Sequence, residues 1–461
     1  MTKLKDLSLE DLISPQGIQC ETCGHRHAMA IRQVEVGEGV ITKLPGALAD
    51  LKVKKPLIIC DEHTKQAAFP YFIDLLTDHK VDWQEANLGG GQIEPDERSV
   101  GSLAMLLAPD RDGIIAVGSG TLNDLGKVLA GVSHLPLITI ATAPSMDGYG
   151  SNNASMIQNR LKKSLYYRCP EVIIADTRIL SAAPLPMLQA GLGDMLAKYC
   201  SICEWRISQL VTGEYYCENI ADLVRSSLNK VVASAGSLLD RDPKAVEEVF
   251  DGLLYTGLAM GFAGISRPAS GLEHYFSHVW EMMNLARSKK PILHGLQVAV
   301  GTSQVLAIWD KLKKYQPDPA RAEAFMDAFD EKAWAEMVMR VYGPEAGQEI
   351  IKTAKAEGRN SREAWQERFS RIQEFWPQIL QIVEEELPRL EDMLSLMERL
   401  GLPIKAEDIG FNQVDCHDAL IASREVRNKY VTSSLLWDLG LLYDMEFPLG
   451  SGLRGQGVSH D

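Results

Sequence analysis

Two histidines stand four positions apart in the stretch GLEHYFSHVW. Because four residues make about one helical turn, a helix here places the imidazoles of His274 and His278 on one face. Such a pair is common in ordinary packing, so it needs further ligands before it indicates a metal. The stretch LHGLQVAVG supplies His294 at the start of an apolar helix. GLGDMLAKY supplies Asp194, which we expect just inside a helix that opens after two glycines.

A buried carboxylate beside two buried imidazoles is not expected in a hydrophobic core, because burying an uncompensated charge costs several kcal/mol of folding free energy. It makes good sense around a divalent cation that keeps one or two positions open for a substrate. The spacing differs from the His-Glu-x-x-His motif of metalloproteases, since Glu273 precedes His274 and is not flanked by a His pair. These residue types accept zinc, nickel or iron, and they do not decide which metal binds.

The stretch VGSGTLNDLGKVLA is typical of a strand, a glycine turn and a helix start. Gly118 and Gly120 let the backbone approach a ligand closely, and the helix N-terminus offers N–H groups to phosphate. The stretch ATAPSMDGYGS also follows a buried strand and contains the polar residues Thr142, Ser145, Asp147 and Ser151. Since ligands of α/β sheets bind at strand ends, the two loops together predict one dinucleotide site.

Asp61, at the end of LIICD, is a third position at a strand end. Its carboxylate can accept hydrogen bonds from ribose hydroxyls and would repel a ribose phosphate, which favours NAD over NADP. A helix N-cap is an equally good interpretation of an Asp at this position. Both interpretations stay open at the level of the sequence.

The elements that must position these residues change character along the chain. The runs PLIICD, GIIAVG, LPLITIAT and EVIIAD are apolar on both faces, as parallel strands are when helices cover both sides of a sheet. Amphipathic segments such as EPDERSVGSLAMLLAPD and TLNDLGKVLAGV lie between them. We therefore predict an α/β dinucleotide-binding domain over residues 1–180, with a peripheral β-element from AMAIRQVEVG and GVITKL.

After Pro184 helical periodicity dominates and no further buried strand appears. The sequence therefore predicts a second, all-helical domain over residues 181–461, which holds the metal and the substrate. We expect the Gly-rich tail from GSGLRGQG onward to be mobile.

Composition excludes several classes of function. A net charge of −15 and a pI near 5.2 argue against a broad nucleic-acid-binding surface. The N-terminus lacks the apolar core of a signal peptide, and no stretch reads as a membrane span. Eight cysteines in 461 residues without a secretion signal indicate reduced thiols and a cytoplasmic location.

One cysteine motif stands apart from the predicted sites. CETCGHRH contains four residues of zinc-ligand type, Cys20, Cys23, His25 and His27. Structural zinc sites usually use two separated ligand pairs, and these residues are crowded together. A reduced N-terminal strand segment is the default interpretation, with a second metal site as the alternative. CSIC, on a helix, is interpreted as packing.

Five motifs in order resemble the sn-glycerol-1-phosphate dehydrogenase family, which belongs to the dehydroquinate synthase-like and iron-type alcohol dehydrogenase superfamily. They are GSGTLND, TAPSMDGYGS, GLGDMLAKY, GLEHYFSHVWEM and LHGLQVAVG. The resemblance covers roughly residues 28–310 and continues weakly in RNKYVTSSLLWDLGLL. It implies a dehydroquinate synthase-like fold. The chain is longer than is usual for the family and has two glycines in a turn where many relatives have three. These differences leave oligomer contacts and the cofactor preference open.

The resemblance implies a role for each matching residue. It implies that Asp194, His274 and His294 bind the metal and carry catalysis, and that Asp147 and His278 contact the substrate together with Asp194. With Asp61 and Gly118, the NAD(P) site is expected to comprise Gly120, Thr121, Leu122, Asn123, Asp124, Thr142, Ala143, Pro144, Ser145 and Ser151. The opening His pair is thus divided between metal and substrate.

The implied reaction is the reversible NAD(P)H-linked reduction of dihydroxyacetone phosphate to sn-glycerol 1-phosphate, with zinc or nickel as the metal. The proton source stays open among His278, Asp147 and a water. Arg160, Lys162 and Lys163 are candidate phosphate donors, none of which the sequence selects. A homo-oligomer, a dimer or larger, is expected by analogy.

The alternatives are a metal-dependent glycerol or other polyol dehydrogenase, a lyase of the dehydroquinate synthase type, and a non-catalytic dinucleotide-binding regulator. A regulator would not need to keep a costly buried metal site.

Overall fold

A computed structural model of the protein describes residues 2–158, 161–445 and Leu449. The Gly-rich tail, for which the sequence predicts mobility, lies outside the described residues. So does Arg160, one of the three candidate phosphate donors.

The described residues form ten strands and nineteen α-helices. The strands are β1 (Ile18–Gln19), β2 (Arg26–His27), β3 (Gln33–Gly37), β4 (Pro56–Cys60), β5 (Gln84–Asn87), β6 (Gly113–Gly118), β7 (Leu137–Ala141), β8 (Asn153–Gln158), β9 (Leu161–Tyr166) and β10 (Val172–Asp176). The helices are α1 (Leu9–Leu12), α2 (Leu44–Asp50), α3 (Glu62–Ala68), α4 (Ile73–Asp78), α5 (Glu97–Leu106), α6 (Gly120–Ser133), α7 (Thr177–Ser181), α8 (Leu185–Leu196), α9 (Lys198–Thr212), α10 (Glu218–Ser234), α11 (Pro243–Ala263), α12 (Leu272–Ala286), α13 (His294–Leu312), α14 (Pro319–Ala328), α15 (Glu331–Ala356), α16 (Arg362–Glu386), α17 (Leu390–Arg399), α18 (Gln413–Ser423) and α19 (Thr432–Asp438).

The main sheet has six parallel strands in the order β3-β10-β7-β6-β4-β5. The four apolar runs in the sequence correspond to β4, β6, β7 and β10, so the predicted parallel α/β sheet is confirmed. From β4 the chain continues to β5 on one side, and from β6 it continues to β7 on the other. The strand order therefore reverses between β4 and β6, and this reversal is where open α/β sheets bind ligands at their carboxyl ends.

Both faces of the sheet are buried, as the continuous apolar runs require. Ile58, Ile115 and Ile138 belong to a cluster on one face that includes residues of α2 and α4. Ile59 and Ile114 belong to a cluster on the other face that includes residues of α5 and α6. Because alternate residues of one strand enter different clusters, each strand is apolar along its whole length.

The prediction that GVITKL forms a β-element was wrong, although the preceding run does form a strand. Gln33–Gly37 is β3, an edge strand that pairs in parallel with β10. Gly39 then takes a left-handed conformation at φ 76°, and Val40–Lys43 forms a 3-10 turn. Asp176 at the end of β10 fixes this turn, since its Oδ2 accepts a hydrogen bond from Ile41 N at 3.2 Å.

The chain divides into two compact units, which we describe separately. The first unit comprises Met1–Met195 and Cys217–Ala269, and the second comprises Leu196–Tyr216 and Ser270–Asp461. The first contains the sheet, the hairpin β8–β9, and the helices α10 and α11. Every element of the second unit within the described ranges is helical. The boundary near residue 181 stays a prediction about domain organisation.

Beyond Pro184 every regular element of the described chain is a helix, which confirms the predicted change from alternating strands and helices to helices alone. Among the described residues, no helix has the combination of length and hydrophobicity that is needed to cross a bilayer.

Candidate dinucleotide and metal sites

The glycine turn between β6 and α6 leads directly into a helix N-terminus. β6 ends at Gly118, Ser119 is the N-cap residue, and α6 begins at Gly120. Ser119 makes no side-chain capping hydrogen bond, and its carbonyl already accepts from Asn123 N at 3.0 Å. The earlier N–H groups of this helix are therefore the ones available to an anion. Thr121, which is half-buried, lies in this first turn.

Two predicted cofactor residues turn their side chains to structural partners. The Asn123 side chain accepts from Thr139 Oγ1 at 3.1 Å and donates to Gly148 O at 3.5 Å. The Asp124 carboxylate accepts from Ser155 N at 2.9 Å and lies 3.5 Å from Lys127 Nζ. Burial raises the pKa of Asp124, and the nearby Lys127 opposes that rise.

These side chains therefore fasten α6 to neighbouring loops. In this part of α6, cofactor binding stays a prediction for the backbone N–H groups of the first turn and for Thr121.

The loop after β7 is held against the glycine turn by a residue that the sequence analysis did not select. The Tyr149 hydroxyl donates to Ala143 O at 2.7 Å and lies 3.3 Å from Gly118 O, so it joins the two loops. Thr142 N donates to Gly118 O at 3.2 Å and adds a second link. Thr142, Ser145 and Ser151 are all buried beside this junction. The two loops predicted to share one ligand thus lie together at the carboxyl ends of β6 and β7.

Asp61 is the N-cap of α3, as the second of its two interpretations proposes. Its Oδ1 accepts from Thr64 N at 2.7 Å, and the Thr64 hydroxyl accepts from Asp61 N at 3.0 Å. The residue also stands at the end of β4, where the strand order reverses. Its role toward a ribose stays a prediction.

Asp194 lies near the end of α8, so the expectation of a helix that opens after two glycines was wrong. Gly191 and Gly193 lie inside the helix. A Cβ at Gly191 would stand 1.8 Å from Pro144 O, so only glycine permits this close packing. The approach brings Asp194 to the loop after β7, where its Oδ2 accepts from Asp147 N at 3.0 Å.

In the second unit, three imidazoles lie together on α12 and α13. The ring centroids of His274 and His294 are 5.2 Å apart, and those of His278 and His294 are 6.0 Å apart. One ring nitrogen of His274 lies within 4.8 Å of one of His294. His274 and His278 are buried, while His294 at the start of α13 is half-buried. His274 and His278 lie on one face of α12, and His294 lies beside them at the start of α13, as the spacing predicts.

The Nδ1 atoms of the two proposed ligand histidines are already hydrogen-bonded. His274 Nδ1 lies 2.9 Å from Glu273 Oε1, and His294 Nδ1 lies 3.0 Å from Ser277 Oγ. Because an ionised carboxylate only accepts, Glu273 favours the tautomer of His274 that keeps its lone pair on Nε2. This is the usual arrangement around a histidine that ligates a metal through Nε2.

Glu281 connects the remaining imidazole to the same group. Its Oε1 is 3.3 Å from His294 Nδ1, and its Oε2 is 3.4 Å from His278 Nδ1. One carboxylate therefore orients two rings that are implied to have different roles, one toward a metal and one toward a substrate.

A second buried carboxylate supports the start of α12. Glu204 Oε2 accepts from Leu272 N at 2.8 Å, and its Oε1 accepts from Thr432 N at 2.9 Å. Burial, followed by repulsion from Glu273, raises the pKa of Glu204 to about 7, although the hydrogen bonds from Thr432 and Leu272 oppose the rise. The Glu204 carboxylate is thus held by hydrogen bonds at the N-terminus of α12, the helix that carries His274 and His278.

Sequence reasoning missed Glu281, Ser277 and Tyr149, and it noted Glu273 only as evidence against a protease. A signal existed for the carboxylates, since Glu273 precedes His274 and Glu281 stands three residues after His278. A search for acids within one turn of each histidine would have found both. No local pattern distinguishes Tyr149 from an exposed loop tyrosine.

The chain is similar to known dehydrogenases in sequence. A family model described as iron-containing alcohol dehydrogenase matches residues 35–184. Glycerol-1-phosphate dehydrogenase [NAD(P)+] of Geobacillus stearothermophilus is 31% identical over 331 residues, which are 71% of this chain and 81% of that protein. The enzyme of the same name from Methanosarcina barkeri is 32% identical over 61% of this chain and 79% of its own length.

Solved structures share the fold at low sequence identity. Glycerol dehydrogenase from Schizosaccharomyces pombe superposes with a TM-score of 0.58 at 16% identity, over 90% of this chain and 89% of that one. Sulfoacetaldehyde reductase from Bifidobacterium kashiwanohense, solved with NAD+, gives a TM-score of 0.57 at 14% identity, over 91% of this chain and 97% of that one. These likenesses confirm the fold class that the sequence motifs imply.

Proposed function

The chain belongs to the glycerol-1-phosphate dehydrogenase family, and we propose from this membership that it reduces dihydroxyacetone phosphate to sn-glycerol 1-phosphate with NAD(P)H. The observation that carries the proposal is sequence identity above 30% with relatives of that name, over about four-fifths of their length. The site chemistry described above agrees with it. A nucleotide and a metal are the cofactors that the family requires.

We assign the metal to Asp194, His274 and His294. The donor set fits a divalent cation, because it combines a carboxylate with two imidazoles whose Nδ1 atoms are hydrogen-bonded to Glu273 and Ser277. A cation bound by these residues supplies Lewis acidity toward the ketone oxygen of the substrate. Zinc and nickel both suit two nitrogens and one oxygen, so the metal is a matter for measurement.

The remaining residues bind and protonate the substrate. Reduction of a ketone requires one proton at the carbonyl oxygen. We assign this proton to His278, because an imidazole oriented by Glu281 can give and regain a proton near neutral pH. Asp147 is half-buried and its backbone N–H donates to Asp194, so it lies where a substrate hydroxyl near Asp194 would be met.

The nicotinamide cofactor is assigned to the crevice at the ends of β4, β6 and β7. The N–H groups of the first turn of α6 would bind its phosphates, and Thr142, Ser145 and Ser151 would line the adjoining loop. Asp61 caps α3 with one carboxylate oxygen, and its other oxygen would meet the ribose.

Of the two described candidates for phosphate binding, Lys162 is half-buried and Lys163 is exposed, side by side on β9. Neighbouring strand residues point to opposite faces, so only one of them can face a given site.

The test is to follow NADH absorbance with dihydroxyacetone phosphate and, in parallel, with dihydroxyacetone, and to determine the chirality of the product. We expect turnover of the phosphorylated ketone with sn-glycerol 1-phosphate as the product. Equal or faster turnover of dihydroxyacetone would instead assign the chain to the polyol dehydrogenases. Formation of sn-glycerol 3-phosphate would contradict the proposed stereochemistry.

A further inference from the structure

A second cluster of metal-ligand side chains lies in the first unit. Cys20, Cys23, His27 and Cys217 each offer a ligand atom, and these four atoms lie within 4.8 Å of one another. The first three come from the motif CETCGHRH at the N-terminus. The fourth is the N-cap residue of α10, 197 positions after Cys20. His25, the other histidine of the motif, is exposed and does not belong to the cluster.

The local fold brings these side chains to one point. β1 and β2 form a hairpin with only two residue pairs, Ile18 with His27 and Gln19 with Arg26. In the turn between the strands, Gly24 adopts a left-handed conformation at φ 75° and donates from its N–H to Cys20 O at 2.9 Å. A hairpin this short is marginal in water by itself.

The spacing of the ligand atoms suits one tetrahedral zinc. Cys20 Sγ and Cys217 Sγ are 3.8 Å apart, and Cys23 Sγ and His27 Nε2 are 3.5 Å apart. With zinc–sulfur bonds of about 2.3 Å and zinc–nitrogen bonds of about 2.0 Å, tetrahedral geometry requires about 3.8 Å and about 3.5 Å. A disulfide would need sulfurs about 2.05 Å apart, and none of the eight cysteines, all of which are described, is in one.

The groups around the cluster also match those of a metal site. His27 is fully buried, and its Nδ1 lies 3.1 Å from Phe262 O on α11. A carbonyl only accepts, so Nδ1 carries the proton and Nε2, the atom near Cys23, keeps the lone pair that a metal needs. The Asn219 amide donates to Cys20 Sγ at 3.6 Å, and such a donor stabilises a thiolate.

We propose that Cys20, Cys23, His27 and Cys217 bind a structural zinc ion, separate from the metal that the reaction uses. Four protein ligands close the coordination sphere, so this zinc has no position open for a substrate. Its effect is to fasten the N-terminal hairpin to the start of α10. We therefore prefer the interpretation of CETCGHRH as part of a second metal site to its interpretation as a reduced strand segment. In this proposal Cys217 replaces His25 as the fourth ligand.

X-ray absorption at the zinc edge of the purified full-length protein tests this proposal. We expect sulfur neighbours at about 2.3 Å, which Asp194, His274 and His294 cannot provide. A zinc spectrum with only nitrogen and oxygen neighbours would overturn the proposal. The proposal would also be overturned if the protein contained no sulfur-bound zinc and Cys20 and Cys217 were joined in a disulfide. The spectrum needs no variant, so it decides even if the substituted proteins fail to fold.

A pair of serine variants supplies an independent measure. Cys217→Ser should bind one zinc fewer per chain than the wild type. Cys169→Ser, which changes another buried thiol of the same unit, should match the wild type. Equal zinc content in all three proteins would contradict the site.

Discussion

The two candidate metal sites differ in the chemistry of their ligand side chains. Near the N-terminus, ligand atoms of three thiols and one imidazole lie within 4.8 Å of one another, and we propose that they hold a structural zinc. On α12 and α13, imidazoles predominate, and hydrogen-bonded carboxylates orient their Nδ1 atoms. Four protein ligands fill every coordination position of a tetrahedral metal, which is typical of a structural site. Two imidazoles and one carboxylate leave a coordination position open for a substrate. The comparison teaches that the number and type of donors, more than their burial, distinguish the two roles.

The largest expected effect comes from removing a proposed ligand of the catalytic metal. Asp194→Asn should lower kcat with dihydroxyacetone phosphate on the order of 10³-fold or more, because the substrate oxygen loses its Lewis acid. Steady-state NADH oxidation measures it, with a melting curve to show that the variant is folded. Cys217→Ser, assayed at 25 °C, should keep kcat within about threefold, since a closed site touches no substrate. Similar losses of kcat in both variants would remove the distinction between the sites.

A large effect on stability is expected from the cysteine cluster. Cys217→Ser should lower the unfolding free energy by about 3 kcal/mol or more, because zinc binding and folding of the hairpin are coupled. For a chain of this size that corresponds to a fall in Tm of roughly 3 °C or more, measured by calorimetry. Cys169→Ser is the matched control and should change Tm less. An unchanged Tm in Cys217→Ser would show that the hairpin does not depend on the cluster.

An intermediate effect is expected from the carboxylate that orients two histidines. Glu281→Gln should weaken metal binding by about 10- to 100-fold, because His294 loses part of the support at Nδ1. The measurement is reactivation of chelator-treated enzyme against free metal concentration. Saturating metal should restore most of the activity, while sulfur-bound zinc stays unchanged. Glu336→Gln, at an exposed position on α15, is the control. If both variants had the wild-type metal affinity, Glu281 would not orient a ligand.

The smallest expected effect concerns Asp251, which belongs to neither cluster. It is an effect of pH on the stability of the first unit. Burial, followed by repulsion from Glu247 and Glu248, raises the pKa of Asp251 on α11 to about 7. Its pKa in the unfolded chain is lower, so the folded protein binds the extra proton and stability falls as pH rises from about 4 to about 7.

Asp251→Asn removes this penalty and should stabilise the protein by about 1 to 2 kcal/mol at pH 8. This gain in unfolding free energy is smaller than the free energy that corresponds to the full pKa shift, because the side chain is half-buried. Denaturant unfolding at pH 5 and pH 8 measures the difference, which should be larger at pH 8. A difference that shrinks as the pH rises would contradict the raised pKa.

The sheet could be predicted from the sequence because its central strands are buried on both faces. The runs GIIAVG and EVIIAD are apolar without alternation, and this pattern has few explanations other than a covered parallel sheet. GVITKL is also rich in β-branched residues, but it begins at the left-handed Gly39 and continues as a 3-10 turn over Val40–Lys43. Likewise the glycines before Asp194 resemble a helix start, while in the structure they allow α8 to pack on Pro144 O. Packing that is distant in sequence decided both cases.

The candidate sites were predictable where their residues are close in sequence. His274, His278 and the glycine turn were selected by local spacing, and Asp194 and His294 by the motifs in which they stand; the resemblance to a family then assigned a role to each. Cys217 could not be found in this way, because nothing near it resembles a ligand motif and Cys20, its neighbour in the fold, stands 197 positions earlier in the sequence. Tyr149 was missed for a similar reason, since its role depends on two carbonyls that only the folded sheet brings together.

The most direct test of the account is the rate of NADH oxidation with dihydroxyacetone phosphate, measured on chelator-treated enzyme before and after zinc or nickel is restored. We expect the rate to fall to background on chelation and to return with the metal in the wild type, but not in Asp194→Asn. Full activity of the metal-free enzyme, or recovery of Asp194→Asn to the wild-type rate, would contradict the proposed catalytic site.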